Sequence, residues 1–342
     1  EGPHLNGNHD LVAVAGRRTP EGASVTDSEG TRTAVWRMPD DPRIPGLAAA
    51  LDPTRAAALV GQLGGAGGEV KTRLRAYRPG TRAVVEVRGR KTSFFLKLVP
   101  TDKVEALHHN HRRLAAHLPV PRSLGVNRDL GLLALQALPG TSLRDALDQP
   151  ETPLPDVAAL NRLLAALPAP SPGLTARSPI ERVKRLGDLL SHLLPEVSNR
   201  IGELIERIGR DAVERSVPIH GDFYEAQLLV SDGVVVGVLD VDTFGWGRPG
   251  DDPATMLGHL DIRRSDPARA RRIEAYASKL LGTWDGMVDP GDLRRRTAAV
   301  VLGLATGPFR VQREDWPTAT LRRIEMAERW MESASRISVT GA

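Results

Sequence analysis

Residues 217–254 read VPIHGDFYEAQLLVSDGVVVGVLDVDTFGWGRPGDDPA, and the chain's architecture is read most directly from them. Leu228, Leu229 and Val230 form one apolar run and Val234 to Leu239 a second. Ser231-Asp232-Gly233 between them is turn chemistry, so the pattern predicts a tight hairpin. An antiparallel hairpin returns its ends to one place, which makes neighbours of Gln227 and Asp240 across the intervening residues. With Asp232-Gly233 as a two-residue turn, Gln227 faces Val238, and Asp240 is its diagonal neighbour at roughly 7–8 Å between backbones. Two oxygen-bearing side chains converge on one ion from such positions.

Asp222 lies five residues before Gln227, in a loop opened by Ile219-His220-Gly221. A loop Asp, then an amide, then a strand-terminal Asp is the order that phosphoryl transfer uses. The first accepts the proton of the attacking hydroxyl, and the other two hold Mg²⁺. Mg²⁺ takes hard oxygen ligands, normally one or two from carboxylates, and leaves the rest to phosphates and water. Each residue alone has an ordinary explanation: His-Gly-Asp is most often a turn, and an Asp after a strand is usually a cap. The joint spacing around a hairpin is what points to catalysis.

The stretch resembles the catalytic and metal loops of the aminoglycoside phosphotransferase-like (choline kinase-like) small-molecule kinases, relatives of protein kinases. That resemblance implies an α+β, bilobal protein-kinase-like fold with a small β-rich N-lobe and a larger helical C-lobe. It implies ATP (or GTP) and Mg²⁺ as cofactors, Asp222 as the catalytic acid-base group with His220 bracing its loop, and Gln227 and Asp240 on the metal. Gly250-Asp251-Asp252-Pro253-Ala254 matches the family's following segment, with Asp252 at its second carboxylate. The departure is Gln227, where the family usually has Asn; maltokinase- and glucosamine-kinase-like members also carry Gln. A nucleotide-binding pseudokinase without turnover is the alternative. A protein kinase fits less well, because Val241-Asp242 stands in place of Phe-Gly and no Ala-Pro-Glu follows.

Upstream, the pattern divides into residues 1–68, a cap or extension of the small lobe; 69–138, a nucleotide-binding sheet with one helix; and 139–342, the helical lobe. Residues 1–32 are Gly-, Asn-, Thr- and Ser-rich, with a strand at Leu11–Val14 that Thr33–Met38 can pair with. Leu47–Leu63 has helical spacing with a start signal at Asp52-Pro53. Gly64–Gly68 reads as a connector. Val70–Tyr77, Ala83–Val87 and Ser93–Val99 read as strands. The turn Pro79-Gly80-Thr81 is either a cover for nucleotide phosphates, through Gly80 N–H and the Thr81 hydroxyl, or simple punctuation. Lys97 sits among Phe94, Phe95, Leu96, Leu98 and Val99, where an unpartnered lysine is costly; its position matches the family's phosphate-gripping lysine. The family's partner carboxylate for that lysine falls nearer Leu107, so Glu105 is two residues off. Gln136-Ala137-Leu138 takes the place of the linker whose backbone reads adenine, which assigns Gln136 and Leu138 to the nucleotide. His108 and His111 share a helical face without a carboxylate and read as surface residues rather than a metal set.

Beyond Leu143 the chain is helical, with a break at Pro195. Glu225 and Asp242 in the loops, Asp252, and Trp316 beside Glu314-Asp315 are the candidates for contact with the acceptor substrate. The last group suits a sugar ring and a solvated helix start equally. The acceptor class is a sugar, amino sugar or aminoglycoside-type antibiotic.

Composition narrows the setting. The chain's 342 residues carry 46 Lys and Arg against 42 Asp and Glu, so the basic excess is small. No basic run is interleaved with aromatics, which argues against nucleic acid. The absence of cysteine removes disulfides, thiolate metal sites and cysteine nucleophiles. No run approaches the ~20 apolar residues of a membrane span, and the N-terminus lacks signal-peptide character. The chain opens at Glu1 rather than Met and reads as trimmed. The expectation is a cytoplasmic protein with a small-molecule hydroxyl substrate and no membrane partner.

Overall fold

The computed structural model describes residues 11–15, 23–28, 31–65, 68–209, 216–264 and 269–340. Most of residues 1–32, the connector residues Ala66 and Gly67, and Ala268 lie outside that set. The chain divides into two compact units: residues 1–116 with 120–138, and residues 117–119 with 139–342.

The first unit opens with β1 (Leu11–Ala15), β2 (Ser24–Ser28) and β3 (Thr31–Arg37), a three-stranded antiparallel sheet in the order β1-β3-β2. The pairing of 11–14 with 33–38 is present, Leu11 opposite Arg37; β2 was not evident in its polar sequence. Helices α1 (Leu47–Leu51) and α2 (Pro53–Gln62) are separated at Asp52, whose side chain accepts the Arg55 N–H and caps α2. Then follow β4 (Lys71–Arg78), β5 (Arg82–Arg88), β6 (Ser93–Leu98), α3 (Val104–Leu114), β7 (Ser123–Asn127) and β8 (Leu132–Gln136). The five strands form one antiparallel sheet in the order β4-β5-β6-β8-β7.

Strand alternation divides the core in two. Phe94, Leu96 and Leu98 pack with Val85, Val87 and Ala134 against Ile44, Leu47, Leu59 and Val60. Residues 44–60 therefore share the core of this sheet. The other face joins Phe95, Leu133 and Leu135 to Val104 and Leu107 of α3. Lys97, opposite Val84 and Leu133, alternates onto the α3 face and is 5% exposed. On α3 the buried residues are Val104, Leu107, His111 and Leu114, a helical stripe. His111 is on that stripe, with Nδ1 hydrogen-bonded to the Pro121 carbonyl at 3.0 Å, and so is a core residue rather than a surface one. His108 bonds Ser123 Oγ through Nδ1.

The second unit comprises β9 (Thr141–Ser142), α4 (Leu143–Asp148), α5 (Val157–Ala165), α6 (Pro179–Leu193), α7 (Ser198–Ile208), β10 (Val217–Ile219), β11 (Leu228–Ser231), β12 (Val234–Val238), β13 (Gly245–Gly247), α8 (Asp251–Arg264), α9 (Ala270–Trp284), α10 (Pro290–Leu304), α11 (Gly307–Arg310) and α12 (Trp316–Thr340). Pro195 separates α6 from α7. Their apolar faces (Ile180, Val183, Leu190; Ile201, Leu204, Ile208) meet Ala298, Val301 and Leu302 of α10 and Ile324, Ala327 and Met331 of α12. Helix α8 is buried along most of its length. It approaches α10 closely enough that a Cβ on Gly258 would lie 2.6 Å from Val300 Cγ1.

The hairpin is present, with Ser231 opposite Val234 and positive φ at both Asp232 (49°) and Gly233 (76°), as a primed turn requires. Its register departs from the regular one. A bulge between Leu229 and Val230 gives the second strand one extra residue, so that Leu228 faces Val238. Gln227 accordingly faces Leu239 rather than Val238, and the Leu239 N–H donates to the Gln227 carbonyl at 2.7 Å. The correction brings Asp240 one residue nearer to Gln227. Strand β9 adds to the outer edge of β11. Among the described residues, no helix is long and apolar enough to cross a membrane.

Candidate active site

The loop between β10 and β11 is held almost entirely by its own backbone groups. The His220 and Gly221 N–H groups donate to the two carboxylate oxygens of Asp252, at 2.7 and 2.8 Å. The His220 carbonyl accepts from Thr243 Oγ1, and the Gly221 carbonyl from Arg182 Nη2. Gly221 has φ +81°, and a Cβ there would meet the Thr243 carbonyl at 2.5 Å, so a side chain is excluded twice over. Nothing in the peptide linking His220 to Asp222 is left to choose its own conformation.

His220 is 1% exposed and bonds at both ring nitrogens. Nδ1 accepts the Asp222 N–H at 3.3 Å, which puts the ring proton on Nε2, facing the Leu239 carbonyl at 2.9 Å. One neutral imidazole thus ties the backbone of Asp222 to the residue preceding Asp240. Asp240 itself is left-handed, φ 52° and ψ 52°, a conformation that Asp tolerates better than most residues. It turns the chain out of β12 into a single helical turn, Val241–Thr243, in which Asp242 is partly exposed. Gln227 is 9% exposed, and its Nε2 approaches Asp222 Oδ2 at 3.5 Å. Its Oε1 makes no hydrogen bond among the described residues, so the amide's acceptor is left to another partner. Asp222, Gln227 and Asp240 are thereby linked through the hairpin and His220.

Three of the proposed substrate contacts have other employment. Glu225 is fully buried: Arg144 contacts Oε1 at 3.0 Å and Arg263 at 3.8 Å. Burial pushes its carboxyl above the usual range, and Arg144 acts most strongly against that shift. This carboxylate fastens the loop to α4 and α8 rather than facing a ligand. Asp252 is 2% exposed, with both oxygens spent on loop amides. Burial raises it to about 7 against the pull of those two bonds, so it too is a brace. Its neighbour Asp251 pairs with the buried Arg296 at 2.7 Å and accepts the Arg248 N–H, securing the start of α8. Trp316 meets Phe309 edge-on at 5.1 Å, and Asp315 is tied to Arg313 at 2.8 Å. Packing at the head of α12 explains that group without a ligand.

In the first unit, Glu105 pairs with Arg128 at 2.8 Å on the outside of α3. The expected pairing with the buried Lys97 is not made. The Gly80 N–H, expected to face nucleotide phosphates, instead donates to Asp41 Oδ2 at 2.7 Å. The same oxygen accepts from Tyr77 Oη at 2.8 Å, Oδ1 accepts the Arg43 N–H, and Trp36 Nε1 donates to Tyr77. Burial, more than the Asp41 charge, raises the Tyr77 phenol well above its usual range. The Thr81 hydroxyl turns back onto the Pro79 carbonyl. Asp41, 2% exposed, therefore sets the shape of the β4–β5 turn. Asp41→Ala strands three part-buried donors, and a loss of about 2–4 kcal/mol is expected from urea denaturation. In the strand after the next, Gln136 N–H and Ala137 N–H are occupied by the Arg122 and Ser93 carbonyls. Leu138 makes no backbone hydrogen bond among the described residues, so of the two residues expected to read adenine it is the one whose N–H is not already taken.

The residues missed by pattern alone are Asp41 and Arg144. Neither lies in the quoted motif, and each acts through a partner distant in sequence. A cavity of about 590 Å³ lies between the proline-rich loop 150–155 and α9; no residue of the 220–227 loop lines it, and its tyrosine, Tyr276, donates to the Pro155 carbonyl.

A small antiparallel sheet unit, a larger helical unit and a braced Asp loop beside a hairpin-borne Asp define a small-molecule phosphotransferase of protein-kinase-like fold. The phosphotransferase enzyme family (APH) matches residues 73–288, and the chain belongs to that family. Among solved structures, a thermostable mutant of aminoglycoside phosphotransferase APH(4)-Ia, in ternary complex with ADP and hygromycin B, gives a TM-score of 0.52 at 15% identity. That match covers 82% of this chain and 97% of the other. A macrolide 2'-phosphotransferase type I gives 0.50 at 19% identity, covering 79% and 95%. At these identities the likeness is one of fold. No curated protein sequence matches the chain.

Proposed function

We propose that the protein transfers the terminal phosphoryl group of ATP (or GTP) to a hydroxyl of a small molecule, with Mg²⁺. Asp222 hydrogen-bonds the acceptor hydroxyl and takes its proton as the oxygen–phosphorus bond forms and the bond to the departing nucleoside diphosphate breaks. His220, neutral and bonded at both nitrogens, holds that carboxylate's backbone and moves no proton. Lys97 is assigned to the nucleotide phosphates and Leu138 to the base; Asp242 is retained as a candidate acceptor contact. The observation that carries the reading is the tie from Asp222 through His220 to Leu239, which fixes the base and the Asp240 position relative to each other.

The donor set suits the metal. Gln227 Oε1 and the Asp240 carboxylate are hard oxygens, and among the described residues no group of three or more His, Asp or Glu forms a closed cage. Mg²⁺ prefers such partial protein ligation. When bound, it neutralises charge on the phosphates; the rest of the rate comes from positioning in a loose transition state. ATP consumption over a panel of sugars, amino sugars, aminoglycosides and macrolides tests the activity, since a nucleotide sensor binds without turnover. Asp240→Ala is expected to abolish the Mg²⁺-dependent part of nucleotide affinity in calorimetry run with and without the ion. Equal affinities for wild type and variant in Mg²⁺ rule out the ligand assignment.

A further inference from the structure

The chain has three tyrosines. Tyr77 Oη is bonded to Asp41 and Tyr276 Oη to the Pro155 carbonyl. Tyr224, two residues beyond Asp222, has no hydrogen bond from its hydroxyl among the described residues. Its ring is nevertheless held by two neighbours.

The constraint begins with the backbone. Tyr224 is extended, φ −148° and ψ 173°, and leads into the single helical turn that Glu225 opens. Phe223 and Glu225 are buried, at 1% and 0% exposure, and Tyr224 is partly exposed between them. Its ring stacks on the His259 imidazole, with centroids 3.9 Å apart and planes inclined at 24°. The Arg144 guanidinium lies 5.7 Å from the ring centre and is itself anchored on Glu225. His259 follows Asp252 by two turns on α8, so one helix face holds both the loop backbone and the tyrosine ring.

The charges around the ring describe what it can receive. Burial, helped by Arg144 and Arg323, pushes His259 down to about 3, so the stacked partner is neutral. Burial, with the charges of Asp222, Glu225 and Asp240 outweighing Arg144, pushes Tyr224 up to about 12. The phenol is therefore a protonated donor two residues along the loop from Asp222, within the electrostatic reach of Asp222 and Asp240. Of the three carboxylates acting on it, Asp222 and Asp240 have roles and Glu225 is buried against two arginines. None of the three is spare for an ammonium group, and the fixed cations nearby are arginines.

We propose that the Tyr224 hydroxyl orients the acceptor, by a hydrogen bond to a second hydroxyl of a neutral polyhydroxylated ring whose reacting hydroxyl is on Asp222. The assignment rests on the phosphotransferase reading above. It makes Tyr224 a specificity determinant and, since the partly exposed Asp242 is the single candidate contact left for an ammonium group, makes uncharged sugars better acceptors than polycationic aminoglycosides.

The test is steady-state transfer from Mg–ATP to neutral aldoses, ketoses and disaccharides, with kanamycin as the polycation. A neutral sugar is expected to give the highest kcat/KM. Tyr224→Phe keeps the stack and should lower kcat/KM for that sugar about tenfold, through KM, while KM for ATP stays within about twofold. One deoxy analogue of the sugar should lose as much in the wild type and nothing further in the variant, as direct contact requires. Preference for kanamycin, or a Tyr224→Phe enzyme with unchanged sugar kinetics, overturns this assignment and leaves phosphotransfer standing. Absence of transfer to these acceptors overturns this assignment; absence of transfer to the amino sugars and macrolides of the wider panel as well overturns the phosphotransferase reading with it.

Discussion

Asp222→Asn should lower kcat by two to four orders of magnitude, about 3–5 kcal/mol of barrier, while calorimetric Mg–ATP affinity stays near that of the wild type. The change is nearly isosteric, so the loop should survive it. The Asp222 N–H still reaches His220, and the four bonds to the backbone of residues 220 and 221 are untouched. What disappears is the one loop carboxylate able to take the hydroxyl proton. An amide can orient the hydroxyl yet cannot hold its proton. The loss should accordingly appear in kcat more than in the acceptor's KM. A variant that turns over like wild type would show that proton removal lies elsewhere.

That prediction could be framed from the sequence because the relevant geometry is local. The turn residues Asp232-Gly233, two apolar runs and the flanking polar residues specify a hairpin, and a hairpin juxtaposes its ends whatever packs around it. The register was one residue out. Val235 and Val236 offer no pattern that marks a bulge, and the extra residue is accommodated by packing rather than by residue type. The breaks at Asp52 and Pro195 were equally local and equally legible. β7, with the mixed sequence Ser-Leu-Gly-Val-Asn, takes its conformation from its neighbour β8 and carried no signal.

Carboxylates were the hardest to read. Glu225 and Asp252 stood out as acids near the chemistry, and proximity suggested ligand contact. Their partners are a guanidinium 81 positions away in the chain and two amides more than 30 positions away. Sequence spacing says nothing about such pairings. Asp41 lay in a segment with no assignable chemistry and proved to shape the turn over which nucleotide binding had been expected. His111 was legible in retrospect, since Val104, Leu107 and Leu114 define the buried stripe that includes it. The motif thus located the reacting groups, while the residues that hold them still came from elsewhere in the fold.

The brace most exposed to test is Asp252. Asp252→Ala leaves the His220 and Gly221 N–H groups buried without acceptors, at about 1–3 kcal/mol each. Part of that is returned by removing a carboxylate whose burial raises it to about 7. A net loss of roughly 2–4 kcal/mol in urea is expected, with activity falling further because the Asp222 loop is no longer fixed. Asp252→Asn separates charge from shape. It keeps one acceptor and turns an NH₂ toward the other amide. The native carboxyl holds its proton more tightly than the unfolded chain's, whose ordinary aspartate value is 3.8. Its contribution to stability is therefore full below about pH 4 and diminishes as pH rises toward about 7. The Asn variant cannot titrate, so the stability gap between wild type and variant should narrow over that window. Urea midpoints at pH 4.5 and 7.5 measure it. A gap that instead widens toward neutral pH would mean that the two amide bonds outweigh burial, and that the loop is held by an ionised carboxylate throughout.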